Sequence, residues 1–425
     1  MRTFLYLSPY FPPLAQVGAL RPLKFARHLP AHGWRPVVLC DLWPGAKVDP
    51  TLADLVPAST IVVRDWSRRA AAAHPALHRE PAQATAPTTA SWADRWLPAW
   101  LNNPELVPLG EHGPEIPYAI AAAEKALRAH PCEAIVVNAD PYAACLVGAE
   151  LKRRTGLPLV LDLRDPWAPC QLRRPRRPAP VRWLEDRLER HAVTAADRVI
   201  LNTHGTLADY RAHYADLDPA RFLAIRNHYD ADLVAAGKHP GFDRFTLLFL
   251  GRFARFQHAD VLLNALAELK QRGVGDGDLQ LVVTGDFPET AWTLARGLGV
   301  QRMVHLHPHV PYREIGAVMA AADVLVALVQ PGVTQRIASK LYDYLGAERP
   351  VISIGDNPEL LELLETTGAG IAIGHGDRAA LADRIQVEMA LGRQRQVPRR
   401  PAGVTSAEAA AHLAGVLDAV TQDRT

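Results

Sequence analysis

Short apolar runs alternate with amphipathic stretches and glycine or proline breaks down this chain. That alternation constrains its fold more than any other feature. Residues 3–8 read as a strand, 20–32 as a helix closed by Gly33, and 36–40 as a second strand, which together form one βαβ unit. The pattern returns with a helix over 117–130, strands over 134–138 and 158–163, and a strand–helix pair over 198–202 and 207–213. A second series opens at Thr246 and continues with strands over 279–284, 324–328, 351–354 and 370–373 and helices over 289–298, 337–345 and 378–391. Parallel strands need crossover connections, so the reading is α/β, with two doubly wound domains facing a central cleft. A last helix is expected over 406–420, with Ser406 as its N-cap.

Composition sets the outer limits. A chain of 425 residues, 48% hydrophobic and 22% charged, can bury two cores. A formal net charge of +2 is too small to make nucleic acid a general partner. Cys40, Cys132, Cys145 and Cys170 form no C-x-x-C pair and read as free thiols of a reducing compartment. No run approaches the 18 or so apolar residues of a membrane span, and Arg2 precedes only a short apolar run without a cleavage signal. The expected location is the cytoplasm, with the inner face of the cytoplasmic membrane left open.

The chemistry concentrates between Pro331 and Ile352, PGVTQRIASKLYDYLGAERPVI. A glycine-bearing loop leads into a short helix that Ser339 or a neighbour can cap. Unpaired N–H groups and the helix dipole then point at whatever lies before it, which suits a diphosphate. One turn further, Asp343 stands among Leu341, Tyr342, Tyr344 and Leu345. A carboxylate there can accept both hydroxyl protons of a ribose, whereas the plainer alternative is an exposed aspartate on an amphipathic helix. Near the N-terminus, Gly18 sits at a strand-to-helix turn where backbone N–H groups can approach an anion.

SKLYDYLGAERPVI resembles the nucleotide-sugar signature of family 4 glycosyltransferases: Lys, two residues, Glu, a small-residue turn, then Pro-Val-Ile. In that family two Glu flank this segment with seven residues between them; the second binds the donor ribose and the first touches the sugar. Those positions are Asp343 and Gln335 here, the latter without a charge. The resemblance extends to Gly18 and Arg21, aligned with the family's N-terminal glycine and arginine and implying backbone contact to the distal phosphate. It also covers the phosphate loop GRFARFQ, where Arg252 holds the expected arginine place and Gln257 stands for a lysine, with Arg255 available to compensate. In LDLRDPW it is a bacterial subgroup with Asp-x-Arg-Asp-Pro-Trp that matches, and Arg164 occupies a position that is His in many other members. Asn227-His228-Tyr229-Asp230 resembles the inter-domain hinge, with His228 replacing a glycine.

The resemblance implies the GT-B fold: an acceptor-side Rossmann-like domain over 1–226, a nucleotide-sugar domain over 227–404, and a terminal segment, 405–425, crossing back to the first. It implies a retaining, metal-independent transfer of a sugar from a nucleotide-diphosphate donor to a glycan, lipid-linked or small-molecule acceptor, as in cell-envelope polysaccharide synthesis, without a cofactor. The residues so implicated are Arg164, Asp165 and Gln335 at the reacting centre. Gly18, Arg21, Arg252, Gln257, Lys340, Leu341 and Asp343 are implicated at the donor. Two alternatives stay open: a nucleotide-sugar epimerase of the same fold, and a non-catalytic binding protein, suggested by the two uncharged glutamines.

Four further features bear on partners. Residues 66–117 are rich in Ala, Pro and Trp, and Trp92, Trp96 and Trp100 would share one helical face, either packed on the domain or turned to an acceptor or membrane. The run Arg173, Arg174, Arg176 and Arg177 reads as a solvated charged segment or as contact to an anionic acceptor or membrane surface. His305, His307 and His309 would share a strand face and suggest a metal, though no fourth ligand is evident. Asp216 and Asp218 precede Pro219 and read as a turn.

Overall fold

Seven parallel strands carry the first part of the chain: β1 (Arg2–Leu7), β2 (Trp34–Cys40), β3 (Ile61–Arg64), β4 (Ala134–Asn138), β5 (Leu159–Leu163), β6 (Arg198–Leu201) and β7 (Phe222–Ala224). The computed structural model describes residues 1–43, 45–68, 108–139, 141–235, 239–251, 253, 260–308, 310–400 and 402–422, with the backbone alone at 111. The strand order is β3-β2-β1-β4-β5-β6-β7. The chain therefore winds outward from β1 to one edge, then restarts at β4 on the other side of β1.

Helices cover both faces: α1 (Val17–His28), α2 (Ile116–Ala129), α3 (Ala143–Thr155), α4 (Ala179–Ala195) and α5 (His204–His213). Along β1, Leu5 and Leu7 join the core under α2 and α3, while Phe4 and Tyr6 join the one under α1 with Phe25 and Ala26. Burial on both faces explains why these strands read as unbroken apolar runs rather than alternating ones. Each fully buried Leu, Val or Phe contributes roughly 1.5–3 kcal/mol.

The second unit repeats the plan with six strands: β8 (Phe245–Phe249), β9 (Leu279–Val283), β10 (Val304–Leu306), β11 (Val324–Leu328), β12 (Val351–Ile354) and β13 (Gly370–Ile373), in the order β10-β9-β8-β11-β12-β13. Its helices are α6 (Ala231–Ala235), α7 (Asp260–Gln271), α8 (Glu289–Gly297), α9 (Ile315–Ala321), α10 (Ser339–Gly346), α11 (Pro358–Thr367) and α12 (Arg378–Leu391). Local chemistry sets their ends. Asn357 caps α11, accepting from the Leu360 N–H at 3.1 Å, Pro358 supplies its first residue, and Gly368 closes it at φ 68°.

The chain divides into Met1–Asn227 with Ser406–Thr425, and His228–Thr405. The boundaries expected at 226/227 and 404/405 each fall one residue before these. The last helix, α13 (Ser406–Gln422), packs in the first unit, where Ala410, Leu413 and Leu417 join Phe25, Leu29 and Trp34. Asp418 on this helix accepts from Arg2 Nη1 at 2.7 Å and from Trp34 Nε1 at 3.1 Å.

Both sheets have a topological switch point, β1/β4 in one and β8/β11 in the other. In open α/β sheets the crevice beyond the strand C-termini at that point is where ligands bind.

Candidate functional site

At the β8/β11 switch point the structure gathers the motif that opens with Pro331. Beyond β8, Gly251 adopts φ +115°, a left-handed conformation that suits glycine. A Cβ there would stand 2.5 Å from Lys340 Nζ. The Lys340 ammonium donates to the Leu250 carbonyl and lies 4.6 Å from the Phe249 ring centre. Burial pushes its pKa down to about 8. The loop after β9 presses on the same turn, since a Cβ at Gly285 would come 2.5 Å from the Gly251 carbonyl carbon. The Phe253 N–H donates to Asp286 O at 2.8 Å, and its ring packs on Phe287 at 4.7 Å.

Asp343, one turn into α10, is 6% exposed and accepts from the Tyr312 hydroxyl at 3.2 Å. It is not the exposed surface aspartate of the plainer reading. The helix begins at Ser339, two residues later than expected, with Ala338 at the N-cap and no side-chain cap, so the expected serine cap is corrected. Its N-cap residue therefore makes no side-chain bond to the first-turn amides, and a helix start of this kind favours anions. The Leu341 side chain is buried in the core, and its N–H donates to Ala338 O at 3.0 Å. Gln335 is 1% exposed, in the loop between β11 and α10. That loop is tied to α11 by Asn357 Nδ2, which donates to Val333 O at 3.0 Å and Arg336 O at 3.3 Å. Arg252, Arg255 and Gln257 lie outside the described residues.

The first unit brings Gly18 and Arg164 together. A Cβ at Gly18 would stand 3.4 Å from both terminal nitrogens of Arg164 and 3.2 Å from the Tyr10 ring. The Gly18 carbonyl accepts from Asn138 Nδ2 at 3.4 Å, at the end of β4. A guanidinium therefore rests on the first turn of α1 at the β1/β4 switch point. Arg21 is different: it is 4% exposed, and Nε and Nη2 grip the Asp162 carboxylate at 2.8 Å each, while Nη1 and Nη2 also donate to the Arg226 and Ile225 carbonyls. These donors tie α1 to β5 and to the chain after β7.

Arg164 and Asp165 lie half-buried in the loop after β5. Tyr142 stacks on Trp167 with ring centres 5.0 Å apart, and its hydroxyl donates to Pro166 O at 2.9 Å. Three members of the arginine run are engaged within the domain. Arg173 donates to Pro166 O at 2.6 Å, Arg174 pairs with Asp186 at 2.6 Å, and Arg177 forms a buried ion pair with Glu185. Arg176 is the exposed member.

Asp218 caps a 3₁₀ turn by accepting from the Ala220 N–H at 2.9 Å, and Asp216 pairs with Arg190. His305 and His307 contact the carbonyls of Arg302 and Pro308, and His309 lies outside the described residues. Among the described residues no group of three or more His, Cys, Asp or Glu is placed to hold a metal, and no helix is long and apolar enough to cross a membrane. The Trp92, Trp96 and Trp100 face lies outside the described residues. Sequence reasoning missed Tyr312 and Asn357. The Asn-Pro-Glu at 357–359 was a readable cap signal; nothing local marked Tyr312.

Two parallel sheets of this order, flanked by helices, define the GT-B architecture. A sucrose-phosphate synthase from Thermosynechococcus elongatus superposes with a TM-score of 0.61 at 14% identity, covering 100% of this chain and 97% of that one. A putative UDP-N-acetylglucosamine 2-epimerase from Listeria monocytogenes superposes at 0.58 with 11% identity, covering 99% and 97%. Residues 244–388 match the family described as Glycosyl transferases group 1. The D-inositol 3-phosphate glycosyltransferase of Corynebacterium aurimucosum is 32% identical over 158 residues, 32% of this chain and 36% of that protein. Its counterpart from Arthrobacter sp. strain FB24 is 28% identical over 299 residues, 65% and 66% of the two chains. The alignments thus span about a third to two thirds of the curated relatives' length.

Proposed function

We propose that this protein transfers a sugar from a nucleotide-diphosphate donor to an acceptor, with retention of configuration and without a metal ion. The observation that carries the reading is the Lys340 ammonium, held against Gly251 at the β8/β11 switch point with Asp343 one turn behind it. A half-buried cation beside a glycine turn and a helix start without an N-cap side chain is a receptor for a diphosphate. Asp343 then receives the ribose hydroxyls. As the glycosidic bond breaks, negative charge grows on the departing diphosphate, and Lys340 with Arg252 stabilises it electrostatically. The α1 turn at Gly18 adds backbone donors, and Arg164 and Asp165 face the acceptor. Gln335 contacts the sugar through a neutral amide.

In this reading the cationic side chains take the charge that a divalent ion would otherwise neutralise. The relatives are named for D-inositol 3-phosphate, which makes a phosphorylated polyol the first acceptor to try. A donor-hydrolysis screen over UDP-, GDP- and ADP-sugars, with and without inositol phosphate, tests the reading. Glycoside formation that needs the acceptor supports it. Free nucleotide accumulating with sugar epimerisation, and no glycoside, would favour the epimerase alternative instead.

A further inference from the structure

Glu189 on α4 is a buried carboxylate that the proposed transfer does not use. It is 1% exposed, and every partner shown for it is a neutral donor. Tyr210 on α5 donates to Oε1, the Tyr214 hydroxyl donates to Oε2 at 2.9 Å, and the Ala168 N–H donates to Oε2 at 3.1 Å. The Tyr210 hydroxyl in turn accepts from the Trp167 N–H at 2.9 Å. Two successive backbone amides of the loop that follows Asp165 thus end on this one carboxylate, one directly and one through a tyrosine.

We propose that Glu189 is a positioning residue for the 164–168 loop, fixing Trp167 and Ala168 so that Arg164 and Asp165 are presented at the end of β5. Only the description of that loop as acceptor-facing rests on the proposed glycosyl transfer; the tether itself does not. The geometry suits the task because a carboxylate can accept several bonds at once, and charge-assisted bonds are stronger than neutral ones. A glutamine at 189 keeps one acceptor oxygen for Ala168, while its amide nitrogen can donate to the Tyr210 hydroxyl. Leucine can do neither.

Ionisation modulates the tether. Burial, the largest influence, pushes the Glu189 pKa up to about 7, against the lowering effect of its three hydrogen bonds. The groups that bear on it are Tyr210 and Tyr214 from the α5 side, Asp186 on its own helix, Arg174 from the turn before α4, and Cys145 on α3. Ionised, the carboxylate holds the Ala168 N–H more tightly, so the tether strengthens as pH rises through neutrality.

Residue-resolved amide hydrogen exchange on the full chain tests this without any turnover assay, so it stands or falls separately from the transferase reading. Tyr210→Phe is expected to speed exchange at Trp167 by about tenfold or more and leave Ala168 within about threefold. Glu189→Leu is expected to release both amides, and Glu189→Gln, chosen to preserve folding, to hold both near the protection wild type shows at pH 6. After correction for the intrinsic hydroxide dependence, wild-type protection at Ala168 is expected to rise about threefold or more from pH 6 to 8, and the Gln variant to stay flat. A flat wild-type profile, or unchanged Trp167 exchange in a folded Tyr210→Phe variant, overturns the proposal.

Discussion

Lys340 offers a prediction with two signs. Its folded pKa, about 8, lies below the ordinary lysine value of 10.5, so its contribution to folding is present above about pH 10.5 and lost as pH falls through about 8. At pH 7 the half-buried ammonium costs up to about 3 kcal/mol, from roughly 1.4 kcal/mol per pKa unit. Lys340→Met removes that cost but also the hydrogen bond to Leu250 O, worth about 1 kcal/mol. The variant should be about 1–2 kcal/mol more stable at pH 7, an advantage that vanishes by pH 10. Nucleotide binding should move the other way. Between pH 7.5 and 9.5 the charged fraction of Lys340 falls from about three quarters to about 3%, so wild-type affinity for UDP, GDP or ADP should drop about 25-fold, or about 2 kcal/mol. Lys340→Arg keeps its charge and should show no such drop. Calorimetric titration across that pH range, with chemical denaturation of each variant, reads both effects. A pH-independent wild-type affinity, or a Met variant that binds as well as wild type, would refute the reasoning.

Gly285→Ala should push the loops after β8 and β9 apart, because the new methyl meets Gly251 backbone at 2.5 Å. Denaturation should show a loss of about 1–3 kcal/mol. Arg177→Ala leaves Glu185 buried without its cation and should cost about 3–5 kcal/mol in the same assay, whereas the exposed Arg176→Ala should stay within about 0.5 kcal/mol. Transfer activity should survive EDTA; loss that Mg²⁺ or Mn²⁺ restores would revive Asp216, Asp218 or the histidines near 305 as ligands.

Most strands and helices could be read because each is written in a contiguous stretch: β4, β11, β12, β13 and α12 lie where the apolar runs and caps put them. The edge strands β3 and β7 went unread, since they are four and three residues long and only partly buried. Spacing alone left Asp343 as readily an exposed helix aspartate, and it was the resemblance around Lys340 that singled it out. What sequence could not supply were partners far along the chain. Arg21 finds Asp162 across 141 positions, and Tyr312 finds Asp343 across 31. The arginine run looked like open charge because its acids come later, on α4, where Asp186 and Glu185 face back toward it.

The account rests finally on Asp343. Asp343→Ala removes a buried carboxylate expected to accept two ribose hydroxyls, and should weaken nucleoside diphosphate binding by roughly 2–4 kcal/mol, about 30-fold or more. Asp343→Glu should be milder, and Tyr312→Phe separates loss of the ribose contact from loss of the neighbouring hydroxyl. A 2′,3′-dideoxy nucleotide should bind wild type weakly and lose little more in the Ala variant. Measuring UDP, GDP and ADP dissociation constants for wild type and Asp343→Ala, with folding verified by thermal melt, is the direct test. A large selective loss is the predicted result; equal affinities in the two folded proteins would contradict the donor site at α10.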